Sequence, residues 1–132
     1  PDGPLMGNLQ AGKSIEWKGK KINVEEATTI THGKKIGYIS DTLACKGCSL
    51  IAENSDILIS EASFTSKLKD KAEQYKHMTA ADAALTASAS NTKELILTHI
   101  SQRYKCTAEV LDDARQYFDN VRCAEDFMKI VL

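Results

Sequence analysis

A chain of 132 residues is long enough for one domain with a real hydrophobic core, and its 42% hydrophobic and 27% charged residues exclude a long disordered or low-complexity segment. The formal charge of -1 excludes an overall basic field, so any nucleic-acid surface is local or comes from another chain. No apolar run approaches the roughly 20 residues that cross a membrane.

Residues 1–13 read as a loop, punctuated by Gly3, Pro4, Gly7 and Gly12. An opening on Pro1-Asp2-Gly3-Pro4, with no initiator Met and no basic-then-apolar signal, reads as part of something longer and as a cytoplasmic protein. Ser14 to Trp17 and Lys20 to Val24 flank Lys18-Gly19 and suggest a hairpin. Residues 25–35 are a polar connection that carries His32. Ile36 to Ile39 is a short buried strand, stopped by Ser40-Asp41-Thr42. A short helix over 49–53 leads to a second buried strand, 56–59, ending at Ser60-Glu61. Residues 63–75 are charged and ambiguous. Thr79 caps an Ala-rich helix running to Ser90, with Asp82 three residues on, close to a capping box. Glu94 to Thr98 is a third buried strand, ending at His99. Thr107 caps a further helix through about Phe118, and residues 121–124 and 127–131 read as two closing strands.

This alternation is α/β layering, helices against a sheet, in one domain over residues 1–132. Three of its strands end in a polar group: Asp41, Glu61 and His99. Strand ends are where α/β folds gather functional groups on rigid supports.

Each of these residues has a plain reading and a chemical one. Asp41 is a turn former, or a carboxylate whose two oxygens bridge two cations. His99 is a satisfied histidine, or a metal ligand whose direction the strand fixes. His77 is a loop histidine, or a group beside a helix start that meets a phosphate or donates a proton. Glu61 is exposed, or orients a histidine by accepting its second N–H. Arg103 and Tyr104 contact phosphate, or pack over the strand. Cys45 and Cys48 form a C-x-x-C that reads as half a zinc knuckle, a redox pair, or two small buried side chains. Cys106 and Cys123 stand alone and supply no second ligand pair.

The segments SDT (40–42), SEASF (60–64), HMT (77–79) and THISQRY (98–104) occur in this order. Together they resemble the motifs of ribonuclease Z: its metal-bridging Asp-Thr turn, H-E-A-T-F segment, H-S-T loop and T-H-I-S-x-R-Y. The opening residues are similar to the family's G-P-x-x-G-x-L-x-x-G stretch and the closing AEDFMKIVL to its final strands. The resemblance implies the C-terminal half of a metallo-β-lactamase αββα sandwich, with a mixed sheet flanked by helices. It implies a zinc-dependent endoribonuclease that removes the 3′ extension of precursor tRNA, a homodimer in its full-length form. Residue by residue, it makes Asp41 the aspartate that bridges two zincs and His99 a ligand of one. It gives His77 and Glu61 catalytic roles, and Thr79 and Arg103 contacts to substrate. Ser60 and Met78 replace the His and the Ser of their segments, which leaves the metal ligands intact.

The family's H-x-H-x-D-H motif, with the aspartate expected as general base, is absent from these residues. His32, His77 and His99 cannot replace those ligands, so the chain alone is expected to be inactive. Two other readings stay open: a non-catalytic fragment that associates with a partner, and an arylsulfatase or phosphodiesterase of the same superfamily.

Overall fold

A computed structural model describes residues 3–132. Where the sequence reads as one domain, these residues form two compact units, one ending at Gly33 and one spanning Lys34–Leu132.

The first unit holds helix α1 (Pro4–Gln10), strands β1 (Ile15–Trp17) and β2 (Lys20–Ile22), and the single turn α2 (Val24–Ala27). A loop was expected over the residues of α1. Pro4 instead starts the helix, at the position where its missing N–H costs nothing. Only Leu9 of this helix is buried, so no apolar period announces it. The expected hairpin is present, with β1 and β2 antiparallel. Its turn residues Lys18 and Gly19 both have positive φ, 48° and 72°. Two-residue hairpins favour that geometry because it matches the strand twist.

The second unit is a four-stranded sheet with helices. Strands β3 (Ile36–Ile39), β4 (Ile57–Glu61), β5 (Glu94–Thr98) and β6 (Val121–Cys123) lie in that order, all parallel. Antiparallel strand pairing among the described residues is confined to the hairpin of the first unit. Helices α3 (Lys46–Ala52), α4 (Lys69–Tyr75), α5 (Ala80–Ala89) and α6 (Ala108–Arg115) make the connections, with a 3-10 turn at Ser66–Leu68. Right-handed crossovers between successive neighbouring strands put their helices on one face of the sheet. Accordingly α5 packs against both α3 and α6.

The core forms between that face and the helices. Ile39, Leu58, Leu95, Leu97, Val121 and Cys123 project from the sheet, and Ala80, Ala83, Ala84 and Ala87 meet them from α5. Alanines let the helix sit close to the strands at little entropic cost. The start of α5 is a full capping box: Thr79 Oγ1 accepts from the Asp82 N–H, and the Asp82 carboxylate accepts from the Thr79 N–H. Gly37 is required by close approach. A Cβ there would lie 3.0 Å from Leu58 Cδ1 and 3.1 Å from the Ile51 carbonyl oxygen.

Two expectations near the end of the chain are corrected. Helix α6 begins at Ala108 and ends at Arg115, and Thr107 makes no side-chain cap. Only Val121–Cys123 is a strand. Residues 127–131 form none, and Phe127 and Val131 are 99% and 96% exposed, without the packing that would hold an apolar strand. No helix among the described residues is long and apolar enough to cross a membrane.

Two aspartates outside the candidate site brace the second unit. Asp113, on α6, is 6% exposed. It accepts hydrogen bonds from the Ser66 N–H at 2.9 Å, the Ser66 hydroxyl and the Ala81 N–H at 3.1 Å. It therefore ties α6 to the 3-10 turn and to the first turn of α5. Asp113→Ala should lower stability by about 3 kcal/mol, since it orphans buried donors once held by a charge. Asp113→Asn should lose less, and urea unfolding of the two variants measures both.

Asp56 precedes β4. Its carboxylate accepts from the Lys35 N–H at 2.8 Å and pairs with Lys93 at 2.7 Å. The Lys93 hydrogen bond, followed by that of the Lys35 backbone, holds its carboxyl below the ordinary value of 3.8. A depressed folded-state pKa means the stabilisation is complete above the unfolded value and is lost as pH falls through the folded one. Urea midpoints should therefore drop on acidification below about pH 4, and Asp56→Asn should flatten that part of the profile. An unchanged slope in the variant would count against this bracing.

Candidate metal centre

The three parallel strands β3, β4 and β5 deliver their carboxyl ends side by side. Ile39 pairs with Ser60, and Glu61 with Thr98. Asp41 and His99 follow immediately, and both adopt a left-handed backbone, φ 51° and 53°. Neither is glycine, so each conformation costs on the order of 1 kcal/mol or more. The turns reverse the chain at once and bring the two side chains face to face, with His99 Nε2 3.2 Å from Asp41 Oδ1. His77, in the loop before α5, joins them. One ligand atom from each of Asp41, His77 and His99 lies within 4.8 Å of the other two.

Glu61 sits beneath this cluster and is fully buried. Its Oε1 accepts the Thr42 N–H. Its Oε2 accepts the Met78 N–H at 3.2 Å, the Ser63 hydroxyl at 3.0 Å and His77 Nδ1 at 2.9 Å. The carboxylate thus joins the Asp41 turn, the end of its own strand and the His77 loop. Ser63 extends the chain of contacts, since its Oγ lies 2.8 Å from His99 Nδ1. If Ser63 donates to Glu61 and accepts Nδ1–H from His99, the His99 Nε2 lone pair is left facing Asp41.

Beside the two histidines runs an open groove of about 460 Å³. Phe64 and Tyr75 stack on its wall with ring centroids 6.4 Å apart. Arg103 lies over Phe64 at 4.9 Å and donates from Nε to Ser101 Oγ, and Lys71 stands at the rim. Two cations therefore line a groove on a chain of net charge -1.

The structure brings together Asp41, His77 and His99, places Glu61 behind them, and sets Arg103 in the adjoining groove. Thr79 is a correction. It is 1% exposed and its hydroxyl is spent in the capping box, so it has no free group to offer a substrate. Glu61 is likewise too buried to touch one. Tyr104 packs structurally, its hydroxyl accepting from the Thr65 N–H at 2.8 Å. Ser60 and Met78 are fully buried, so the two replaced positions face the interior and not the cluster. His32 is exposed in the first unit, outside the cluster. The reading of both C-x-x-C cysteines as buried holds only for Cys48, because Cys45 is exposed. Sequence reasoning missed Ser63 and the Thr42 N–H. Their roles depend on hydrogen bonds across strands, and a serine two residues past Glu61 in SEASF was the one available signal.

The donor set, one carboxylate oxygen and two imidazole nitrogens, suits a divalent cation such as zinc. A site for two ions would need more donors than these three, which are the ones grouped among the described residues.

No family model matches the chain. It is 44% identical to a ribonuclease Z of Archaeoglobus fulgidus, over 98% of this chain and 43% of that protein. Among solved structures, a Bacillus subtilis metallo-β-lactamase fold protein superposes with a TM-score of 0.62 at 25% identity, over 68% of this chain and 36% of that one. The short form of human tRNase Z superposes with a TM-score of 0.56 at 34% identity, over 73% of this chain and 32% of that one. The chain spans less than half the length of the relatives it matches. Over the part they span, these residues are similar in sequence to ribonuclease Z proteins and similar in fold to metallo-β-lactamase fold proteins.

Proposed function

We propose that these residues supply part of a zinc-dependent endoribonuclease site, one that hydrolyses the phosphodiester joining the 3′ extension to precursor tRNA. The observation that carries the reading is the convergence of Asp41 after β3, His99 after β5 and His77 from the loop before α5, over one buried carboxylate. The similarity to ribonuclease Z proteins along 98% of the chain supports the substrate and reaction. The proposal extends to a complete protein that works in the cytoplasm as a homodimer.

Asp41 and His99 are the zinc ligands in this reading. Bound zinc supplies Lewis-acid polarisation of a phosphate oxygen and acidifies water. His77 stands beside them as the group that contacts the scissile phosphate or protonates the leaving oxygen. Glu61 accepts Nδ1–H of His77 and so fixes the ring, which puts the second proton of the charged ring on Nε2. Glu61 is thus a positioning residue. Arg103, held over Phe64, presents a planar, permanently charged group to backbone phosphate in the groove. Recognition of this kind reads RNA shape and backbone more than sequence.

With no H-x-H-x-D-H motif in these residues, the chain by itself should bind zinc weakly and leave precursor tRNA uncut. Titration calorimetry with zinc and a cleavage assay test both. Tight stoichiometric zinc together with robust cleavage by the 132 residues alone would sink the partial-site reading. The strained turn gives a sharper test. Asp41→Gly should raise stability by about 1 kcal/mol by relieving the positive φ, while abolishing zinc binding. A gain in stability with zinc affinity unchanged would remove Asp41 from the ligand set.

In the complete enzyme, His77→Ala should lower kcat by about 10²- to 10⁴-fold with KM for precursor tRNA little altered. A change confined to KM would assign His77 to binding alone.

A further inference from the structure

The proposed nuclease site leaves the C-x-x-C unused. Cys45 and Cys48 lie where β3 turns into α3, their sulfurs 3.6 Å apart. Cys45 is exposed and Cys48 is 2% exposed. Neither belongs to a group of three or more metal donors among the described residues. A structural zinc site needs four ligands, and this pair has no second pair beside it. One accessible thiol backed by one sheltered thiol, three residues apart, is instead the arrangement of an exchanging dithiol.

We propose that Cys45 and Cys48 form a redox-active dithiol that exchanges with low-molecular-weight disulfides, Cys45 as the attacking sulfur and Cys48 as the resolving one. In the first step the Cys45 thiolate attacks one sulfur of the disulfide. A Cys45–SR bond forms, the S–S bond of the reagent breaks, and one thiolate leaves and takes up a proton. In the second step Cys48, having lost the proton it now points at the Leu43 carbonyl (3.7 Å), attacks Cys45 Sγ and displaces the second thiolate. The dithiol gives up two electrons and two protons, and one disulfide becomes two thiols.

The local contacts favour this division of labour. Backbone N–H of Cys48 is the largest influence pulling the Cys45 thiol below its ordinary value, with the Cys48 thiol and the Gly47 N–H adding to it. Burial pushes the Cys48 thiol up. The outer sulfur is therefore the better thiolate and the inner one is held in reserve until a mixed disulfide brings an electrophile within reach. Closing the bond needs the sulfurs to approach from 3.6 Å to roughly 2.05 Å, a movement that side-chain rotation supplies.

The exposed Cys106 is an internal control. The reduced chain would be incubated with glutathione disulfide, quenched by alkylation and mapped by mass spectrometry. An intrachain Cys45–Cys48 disulfide is expected, and Cys48→Ser should stop the reaction at a Cys45–glutathione mixed disulfide. Competitive alkylation of the unmodified chain needs no variant, and Cys45 should react about tenfold faster than Cys106. Equal alkylation of Cys45 and Cys106, or glutathionylation at Cys106 with no intrachain disulfide, overturns the proposal.

Discussion

A carboxylate sealed from water is tolerated only where donors replace its hydration, because desolvating a charge costs several kcal/mol. Glu61 meets that condition with four donors drawn from three segments: the Thr42 and Met78 backbones, the Ser63 hydroxyl and the His77 ring. Each donor is the start or end of a piece of the cluster. Thr42 follows Asp41, Met78 follows His77, and Ser63 reaches His99. The positions of three exposed or half-exposed side chains are thus set by one group that solvent never sees. Because three of those donors converge on Oε2 and one on Oε1, moving any one segment leaves a buried carboxylate short of a partner. That is what makes the cluster rigid on loops that would otherwise wander.

The sheet makes such a hub possible. Parallel strands in sequential order all present the same end, so the segments after β3, β4 and β5 emerge next to one another without any long excursion. The connecting helices lie together over one face, and α5 can sit low there because its contact surface is alanine. Its capping box fixes where the helix begins, and therefore where the loop carrying His77 ends. Asp113 fixes the same helix start from the opposite side through the Ala81 N–H. Packing at the centre of the unit is in this way converted into position at its edge.

Much of this was readable in the residues. Short apolar runs such as ILIS and ELILT announce the inner parallel strands β4 and β5, whereas Ile36–Ile39, also expected to be buried, is an edge strand that alternates, with Ile36 and Tyr38 exposed. A Thr and an Asp three apart before an alanine run announce a helix start. The polar residues that break the apolar runs mark the strand ends, and Asp41, Glu61 and His99 were all found that way. Helix α1 was not legible, because it buries a single side chain and is studded with residues that read as punctuation. Of the two closing strands expected, the one over 121–124 is present as β6 and the one over 127–131 is not. Apolar letters in FMKIV suggest burial, yet Phe127 and Val131 have nothing to pack on. The individual roles around Glu61 were beyond sequence reasoning for a different reason. A hydrogen bond between residues 19 or 36 positions apart leaves no periodic trace. Thr79 was read both as a helix cap and as a substrate contact, and its burial shows that the hydroxyl serves the helix.

The same geometry bears on how an incomplete ligand set can keep its shape. Asp41 and His99 face each other at 3.2 Å with substantial solvent exposure, 67% and 47% of their side chains. A contact that exposed is worth about 0–1 kcal/mol at most, so a cation entering between the two groups gives up little by separating them. Their backbones do not need the cation either. The left-handed turns at both residues are held by Glu61 through the Thr42 N–H, and by the Ser101 N–H donating to the Ser63 carbonyl at 3.2 Å. The strain in those turns is therefore balanced inside this unit, by hydrogen bonds made whether or not a metal is present. Donors held in place beforehand lose less freedom on binding than donors that must first be gathered. By that argument, under the proposed reading, the cluster of Asp41, His77 and His99 is formed by this unit's own fold, and any further ligands would add affinity to a geometry that already exists.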